Sequence, residues 1–116
     1  MSLDQRAIPD QIATGGTVSA GARIDGMHVN GLQCPADWTA AVLTFQFSAD
    51  AVNWSDVYDT NGNAVTWQMA SGGRYIAVPP ATLPGVEWVR VRSGTPGVPV
   101  VQAVARGFVW FARPYV

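Results

Sequence analysis

The stretch LTFQFSADAVNWSDVYDTNGNAVTW, residues 43–67, decides how this chain is read. It opens by alternating: Leu43, Phe45 and Phe47 against Thr44, Gln46 and Ser48. A period of two marks a strand with one buried face, so 41–48 is predicted as a half-buried strand with the three apolar residues inward. Asp50 and Asn53 break the run; residues 54–59 then read as a second strand and 63–69 as a third. Between these two, Asn61-Gly62 predicts a two-residue type I′ hairpin turn, whose central positions both need positive φ. The same stretch also sets two rival roles for its aromatics. Sugar-binding modules expose such rings beside polar groups as stacking platforms, whereas a structural domain buries them.

The strand reading extends in both directions. Residues 17–34 hold three glycines among β-prone positions and predict two short strands with a turn near Asp25-Gly26. Arg74–Val78 predicts a strand closed by Pro79-Pro80, and 86–92, VEWVRVR, alternates again with Val89 and Val91 on one face. Residues 100–105 and 107–113 supply the last strands. Residues 1–16 are polar, contain Pro9 and end in Gly15-Gly16, and are expected to form an extended N-terminal arm. Seven to nine strands at roughly ten-residue spacing predict one all-β domain over 17–116, an antiparallel β-sandwich. A jelly-roll order is plausible for it, but spacing alone does not give strand order.

Composition narrows the function. The chain has 116 residues, 48% hydrophobic and 13% charged, enough for one packed core. Soluble monomers usually carry about a quarter charged residues. So low a value fits a surface covered by neighbouring subunits, though a small neutral domain without partners would also show it. All seven cations are Arg, which suits interfaces and also follows from GC-rich coding. A net charge of −1 without basic clusters argues against a phosphate-contacting nucleic-acid surface. No window approaches the about 18 apolar residues of a membrane span, and the N-terminus lacks the pattern of a signal peptide.

Chemistry finds few carriers. His28 and Cys34 are each the sole residue of their type, which leaves no disulfide or CxxC knuckle. His28 sits in a predicted strand, and Cys34, before Pro35, reads as a small buried apolar group. Asp50, Asp56 and Asp59 suit turn capping, since no spaced Asp/Asn ladder ending in Glu makes a calcium loop. The expectation is therefore a protein without catalytic residues, metal or cofactor.

The last stretch, GFVWFARPYV, places Phe108 and Trp110 on one face and Val109 and Phe111 on the other. A strand apolar on both faces needs cover on both. Ile8 and Ile12 of the arm, with Trp110, Phe111 and Tyr115, are therefore the expected contacts of a homo-oligomer.

Two resemblances add to this. SADAVNWSDVYD resembles the serine–aspartate turn before tryptophan in discoidin-type, galactose-binding-like carbohydrate modules. That likeness would make Asp50, Asn53, Trp54, Asp56 and Tyr58 a glycan site. Ala51, standing where that turn usually has Gly, departs from it. A longer series is LQCPADWTAAVLTFQFSADAVNWSDVYDTNGNAV followed by RYIAVPPATLPGVEWVRVRSGTPGVPVVQAVAR, over about residues 30–106. It resembles small virion proteins of tailed phages and related gene transfer agents. The resemblance implies a non-enzymatic, capsid-associated β-sandwich at a head spike or fibre base, assembled in the bacterial cytoplasm and partnered by other virion proteins. A glycan-binding attachment module is the alternative.

Overall fold

A computed structural model describes residues 5–69, 72–79, 82–83 and 86–114. Eight strands run through them: β1 (Arg6–Ile12), β2 (Ala22–Arg23), β3 (His28–Gln33), β4 (Leu43–Ser48), β5 (Ser55–Asp56), β6 (Tyr75–Ala77), β7 (Trp88–Ser93) and β8 (Arg106–Arg113). There is no helix among the described residues. The strands form two four-stranded sheets, ordered β1-β8-β3-β6 and β2-β7-β4-β5, and every pairing is antiparallel. The two sheets pack together around one core, as the alternating pattern of 43–48 requires.

That core follows from the period of two. Phe108, Trp110 and Ala112 of β8 and Val29 and Leu32 of β3 face Leu43 and Phe45 of β4 and Val89 and Val91 of β7, all buried. At its centre Phe45 packs on Trp67, with ring centroids 4.2 Å apart, and Trp110 lies 6.1 Å from Phe45. Trp38 meets Phe108 edge-on at 5.6 Å. Tilted and edge-on pairs of this kind add about 0.5–1.5 kcal/mol each beyond the area they bury.

Several expectations change here. Most of the expected arm is not an arm: Arg6–Ile12 is β1, paired along its length with β8. The signal was hidden because its inward residues are Ile8, Asp10 and Ile12, and a carboxylate inside a strand breaks the alternation. Pro9 lies in this edge strand, where a missing N–H costs no ladder bond. Residues 100–105 contribute no strand; Val101 and Val104 are exposed there. The strands on either side of Asp25-Gly26 do not form a hairpin with each other, since β2 and β3 belong to different sheets.

The Asn61-Gly62 turn also differs. Gly62 N–H donates to the Asp59 carbonyl at 3.1 Å, and only Gly62 of the two has positive φ, 82°. The Asp59 carboxylate accepts from the N–H groups of Asn61 and Asn63. The turn is thus a four-residue one closed by an aspartate, and residues 63–69 pair only through isolated bridges, Tyr58 with Ala64 and Leu43 with Trp67.

Candidate functional site

The stretch after β4 was the first candidate, and its geometry is set by two short side chains. Ser48 Oγ accepts from Ala51 N–H at 2.8 Å and donates to Asp50 Oδ1. Asp50 in turn accepts from the N–H groups of Val52 and Asn53 and from Asn53 Nδ2. These donors, the Asn53 N–H foremost, hold the Asp50 carboxyl well below its ordinary value of 3.8. Asp50 and Asn53 are therefore brought together, but as partners of each other and of the turn. Ala51 takes the left-handed conformation, φ 63°, which disfavours any side chain. Replacing Ala51 with Gly is expected to stabilise the fold by about 0.5–1 kcal/mol, read as a raised urea midpoint with an unchanged slope.

Trp54 and Asp56 sit in a polar network on the outer face of the second sheet. Trp54 Nε1 donates to the Ala51 carbonyl at 3.2 Å, and the Arg90 guanidinium stacks 4.3 Å from its ring centre. One face of that ring is thus already occupied by a cation, a favourable stack in its own right. Arg90 Nε donates to Gln46 Oε1, Gln46 Nε2 to Asp56 Oδ1, and Arg92 Nη1 to the same Asp56 oxygen at 2.8 Å. Arg92 Nε reaches Thr44 Oγ1, which donates to the Gly94 carbonyl. The Gln46 bond, and then Arg92, hold the Asp56 carboxyl below its ordinary value. Tyr58 stands apart from this network and is exposed.

Both Asp50 and Asp56 have folded-state values below their ordinary 3.8. The stability they contribute is fully present above that value and is lost as pH falls below it. The melting temperature is expected to stay flat between about pH 8 and pH 5 and to drop below about pH 4. Asp50→Asn should flatten that acid limb; an unchanged limb would show that the turn carboxylate does not contribute.

The outer face of the first sheet is of another kind. Register places two outward rows across all four strands: Ala7–Phe111–Gly31–Ala77 and Pro9–Val109–Gln33–Tyr75. None of these eight residues is charged, and Gln33 is the one amide. Tyr75 lies over Gly31, so close that no side chain would fit there, and its ring is 5.8 Å from that of Phe111. Tyr75 remains 47% exposed. Phe111 thus lies on an outward face, half-buried, as its position in the strand predicts.

The other expected contacts fall differently. Ile12 and Trp110 are fully enclosed by their own chain, because even-numbered residues of β1 and β8 face the second sheet. Neither has surface left for a partner. Ile8 is half-buried against the core, and Tyr115 lies outside the described residues.

No protein-family profile, curated protein or solved structure matches this chain. What it can do is therefore argued from its own groups. Cys34 is buried, and burial pushes its thiol up to about 11, against the opposing pull of Arg74. Such a thiol is a poor nucleophile at neutral pH. Among the described residues no group of three His, Cys, Asp or Glu side chains is placed to hold a metal. No helix there is long and apolar enough to cross a membrane.

Two residues that sequence reasoning missed organise the interior. Asp10, 6% exposed, accepts from Trp110 Nε1 at 3.1 Å, Ser19 Oγ at 2.6 Å, Gly21 N–H at 2.8 Å and Gln11 N–H. Ser19 Oγ also accepts from Val91 N–H, so one carboxylate joins β8, β1 and β7. Gln102, wholly buried, gives Nε2 to the Thr39 carbonyl and Ser93 Oγ, and its Oε1 accepts from Thr39 N–H and Arg106 Nε. Its backbone also bonds Gly15 and Gly16. The loops after β1, β3 and β7 thus meet at this one residue, the first through its backbone and the second through its side-chain amide. Gln102 lies in an irregular segment that carries no periodic signal, and Asp10 breaks the alternation of β1, so neither role was visible from spacing.

Proposed function

We propose that this protein is a non-enzymatic structural component of a virion, from a tailed phage or gene transfer agent. It assembles as a symmetric oligomer through the outer face of the first sheet and attaches to the capsid as decoration or at the base of a head spike or fibre. The observation that carries the reading is the pair of uncharged rows, Ala7–Phe111–Gly31–Ala77 and Pro9–Val109–Gln33–Tyr75, spanning a whole sheet. Two adjoining uncharged rows across four strands, bordered on the same face by Arg113, are the kind of patch that another protein covers.

The strand order supports the same reading. β1 pairs with β8, β2 with β7, β3 with β6 and β4 with β5, a nested series in which the chain folds back on itself as one long wound hairpin. We read this order as a jelly roll, an architecture used by viral capsid and lectin domains. Fold alone does not assign function. The motif series over residues 30–106 adds the virion context, and the engagement of Asp50, Asn53 and Asp56 by one another and their neighbours leaves the structural role ahead of a glycan site.

Native mass spectrometry at micromolar concentration tests the proposal, with co-sedimentation on purified capsids as the second arm. The expected result is a discrete oligomer burying about 800 Å² per partner and binding capsids. A persistent monomer that also fails to bind capsids overturns it. A glycan-array signal lost on Tyr58→Ala, with folding intact, would replace it by the attachment reading.

A further inference from the structure

We infer that Asn61 is a site of spontaneous self-modification, converted by the neighbouring backbone nitrogen of Gly62 into aspartate and isoaspartate while the protein is folded. The fold shields a second pair of the same sequence, Asn30-Gly31, from the same reaction. Neither statement rests on the oligomeric reading above.

The chemistry needs an asparagine followed by a backbone nitrogen that is free to approach it. The Gly62 nitrogen attacks Asn61 Cγ and loses its proton to solvent as the new C–N bond forms. The Cγ–NH₂ bond then breaks and the amide nitrogen leaves as ammonia, which closes a succinimide ring. Water opens that ring on either side. Attack at Cγ restores the chain and leaves aspartate; attack at the main-chain carbonyl carbon reroutes the chain through the side chain and leaves isoaspartate. One water is consumed and one ammonia released, with no change of oxidation state. Glycine favours the step because it has no Cβ beside the nitrogen and reaches backbone conformations that other residues avoid.

Asn61 meets both requirements. It and Gly62 are exposed in the turn between Asp59 and Asn63. Gly62 has φ 82°, and the space where its Cβ would stand is empty to 4 Å. The bonds that close the turn leave the reacting amide alone. Asp59 N–H donates to the Asn63 carbonyl at 2.8 Å, and the Asp59 carboxylate accepts from the backbone N–H groups of Asn61 and Asn63. None of these bonds holds the Asn61 side chain. The 3.1 Å bond from Gly62 N–H to the Asp59 carbonyl must open for attack, and an exposed turn bond opens at little cost.

Asn30-Gly31 differs in each respect. It lies inside β3, where Gly31 is buried and in register with Phe111 of β8 on one side and Ala77 of β6 on the other. Tyr75 lies over Gly31. The Asn30 carbonyl accepts from Val78 N–H at 3.1 Å, and Asn30 Oδ1 is itself buried. Bringing Asn30 Cγ onto the Gly31 nitrogen means turning the main chain out of the extended region, which breaks the pairing of β3 with both neighbours. That opening draws on the stability of a whole sheet, whereas the turn at Asn61 draws on one exposed bond. The product at Asn61 sets a second carboxylate beside Asp59 and, as isoaspartate, adds a carbon to the main chain inside the bonded turn.

The test is a time course of the full folded chain in warm, mildly alkaline buffer, read by peptide mapping with mass spectrometry and by an isoaspartate assay. A parallel sample is held in urea. An Asn61→Gln variant, whose longer side chain closes its ring poorly, is the control. In the folded protein, conversion at Asn61 is expected to run at least about tenfold faster than at Asn30, because the two openings differ in cost. In urea the two pairs should react at similar rates. The variant should gain no acid at position 61 over the same period. A folded chain that keeps Asn61 intact would show that the turn closed by Asp59 shields this pair too, and the proposal falls. Equal rates at Asn30 and Asn61 in the folded protein would overturn it as well.

Discussion

Trp110→Ala is expected to remove about 3–5 kcal/mol of stability, the largest effect of any single substitution in the core. Trp110 is fully buried between the sheets and packs on Phe45 and Trp67. Truncation leaves a cavity that two other aromatic rings cannot close without leaving their own contacts. A domain of this size is stable by about 5–15 kcal/mol, so the loss is a large share of the whole. The check is urea unfolding, where the midpoint should fall with little change in slope. Trp110→Phe keeps most of the ring but deletes the indole N–H, and should cost about 1–2 kcal/mol through the bond to Asp10 alone. An alanine variant unfolding at the unsubstituted midpoint would mean that the inter-sheet packing described here is not the core.

The second large effect is expected at Asp10→Ala, about 3 kcal/mol or more. Four donors converge on this buried carboxylate, and bonds to a charged acceptor are worth about 1.5–3 kcal/mol each before the network relaxes. Ser19 can turn its hydroxyl elsewhere; the indole N–H and the Gly21 N–H cannot follow it. Removing the carboxylate also loosens the join between β1 and the second sheet, so the N-terminal strand should exchange its amide protons faster than the rest. Asp10→Asn should fall between the two, because an amide keeps one acceptor oxygen but turns an NH₂ toward groups that also donate. A cycle combining Asp10→Ala with Trp110→Phe should show coupling, the two losses summing to more than the double variant loses. Strict additivity would show that the 3.1 Å contact contributes nothing.

Much of the fold was legible because alternation is a local property. Leu43, Phe45, Val89 and Val91 announced their buried faces, and the alternation of β8 announced Phe108 and Trp110 on one face and Val109 and Phe111 on the other. The misreadings have common physical causes. β1 looked like a tail since its central inward residue is a charged one, and a carboxylate in a core makes sense only with the indole, hydroxyl and amides that satisfy it. Those come from positions 110, 19 and 21, which no local window joins. The Asn61-Gly62 pair was assigned the wrong turn because Asp59 supplies acceptors that a dipeptide rule ignores. Of the candidate glycan residues, the structure joins Asp50 with Asn53 in one turn, places Trp54 and Asp56 with Gln46, Arg90 and Arg92, and leaves Tyr58 apart; spacing could not reveal how many of their polar atoms these neighbours would occupy.

By itself, then, the sequence determined that the chain is all-β, that it has one core, which residues of its clearest strands face inward, and that charge is scarce on its surface. These follow from side-chain chemistry repeated at a fixed period, which each segment carries alone. Only the tertiary structure decided strand order, the partners of Asp10 and Gln102, the burial of Ile12 and Trp110 within their own chain, and the alignment of two uncharged rows across four strands. Each of those depends on which distant segment lies alongside, and pairing at long range is settled by the joint burial of many residues at once.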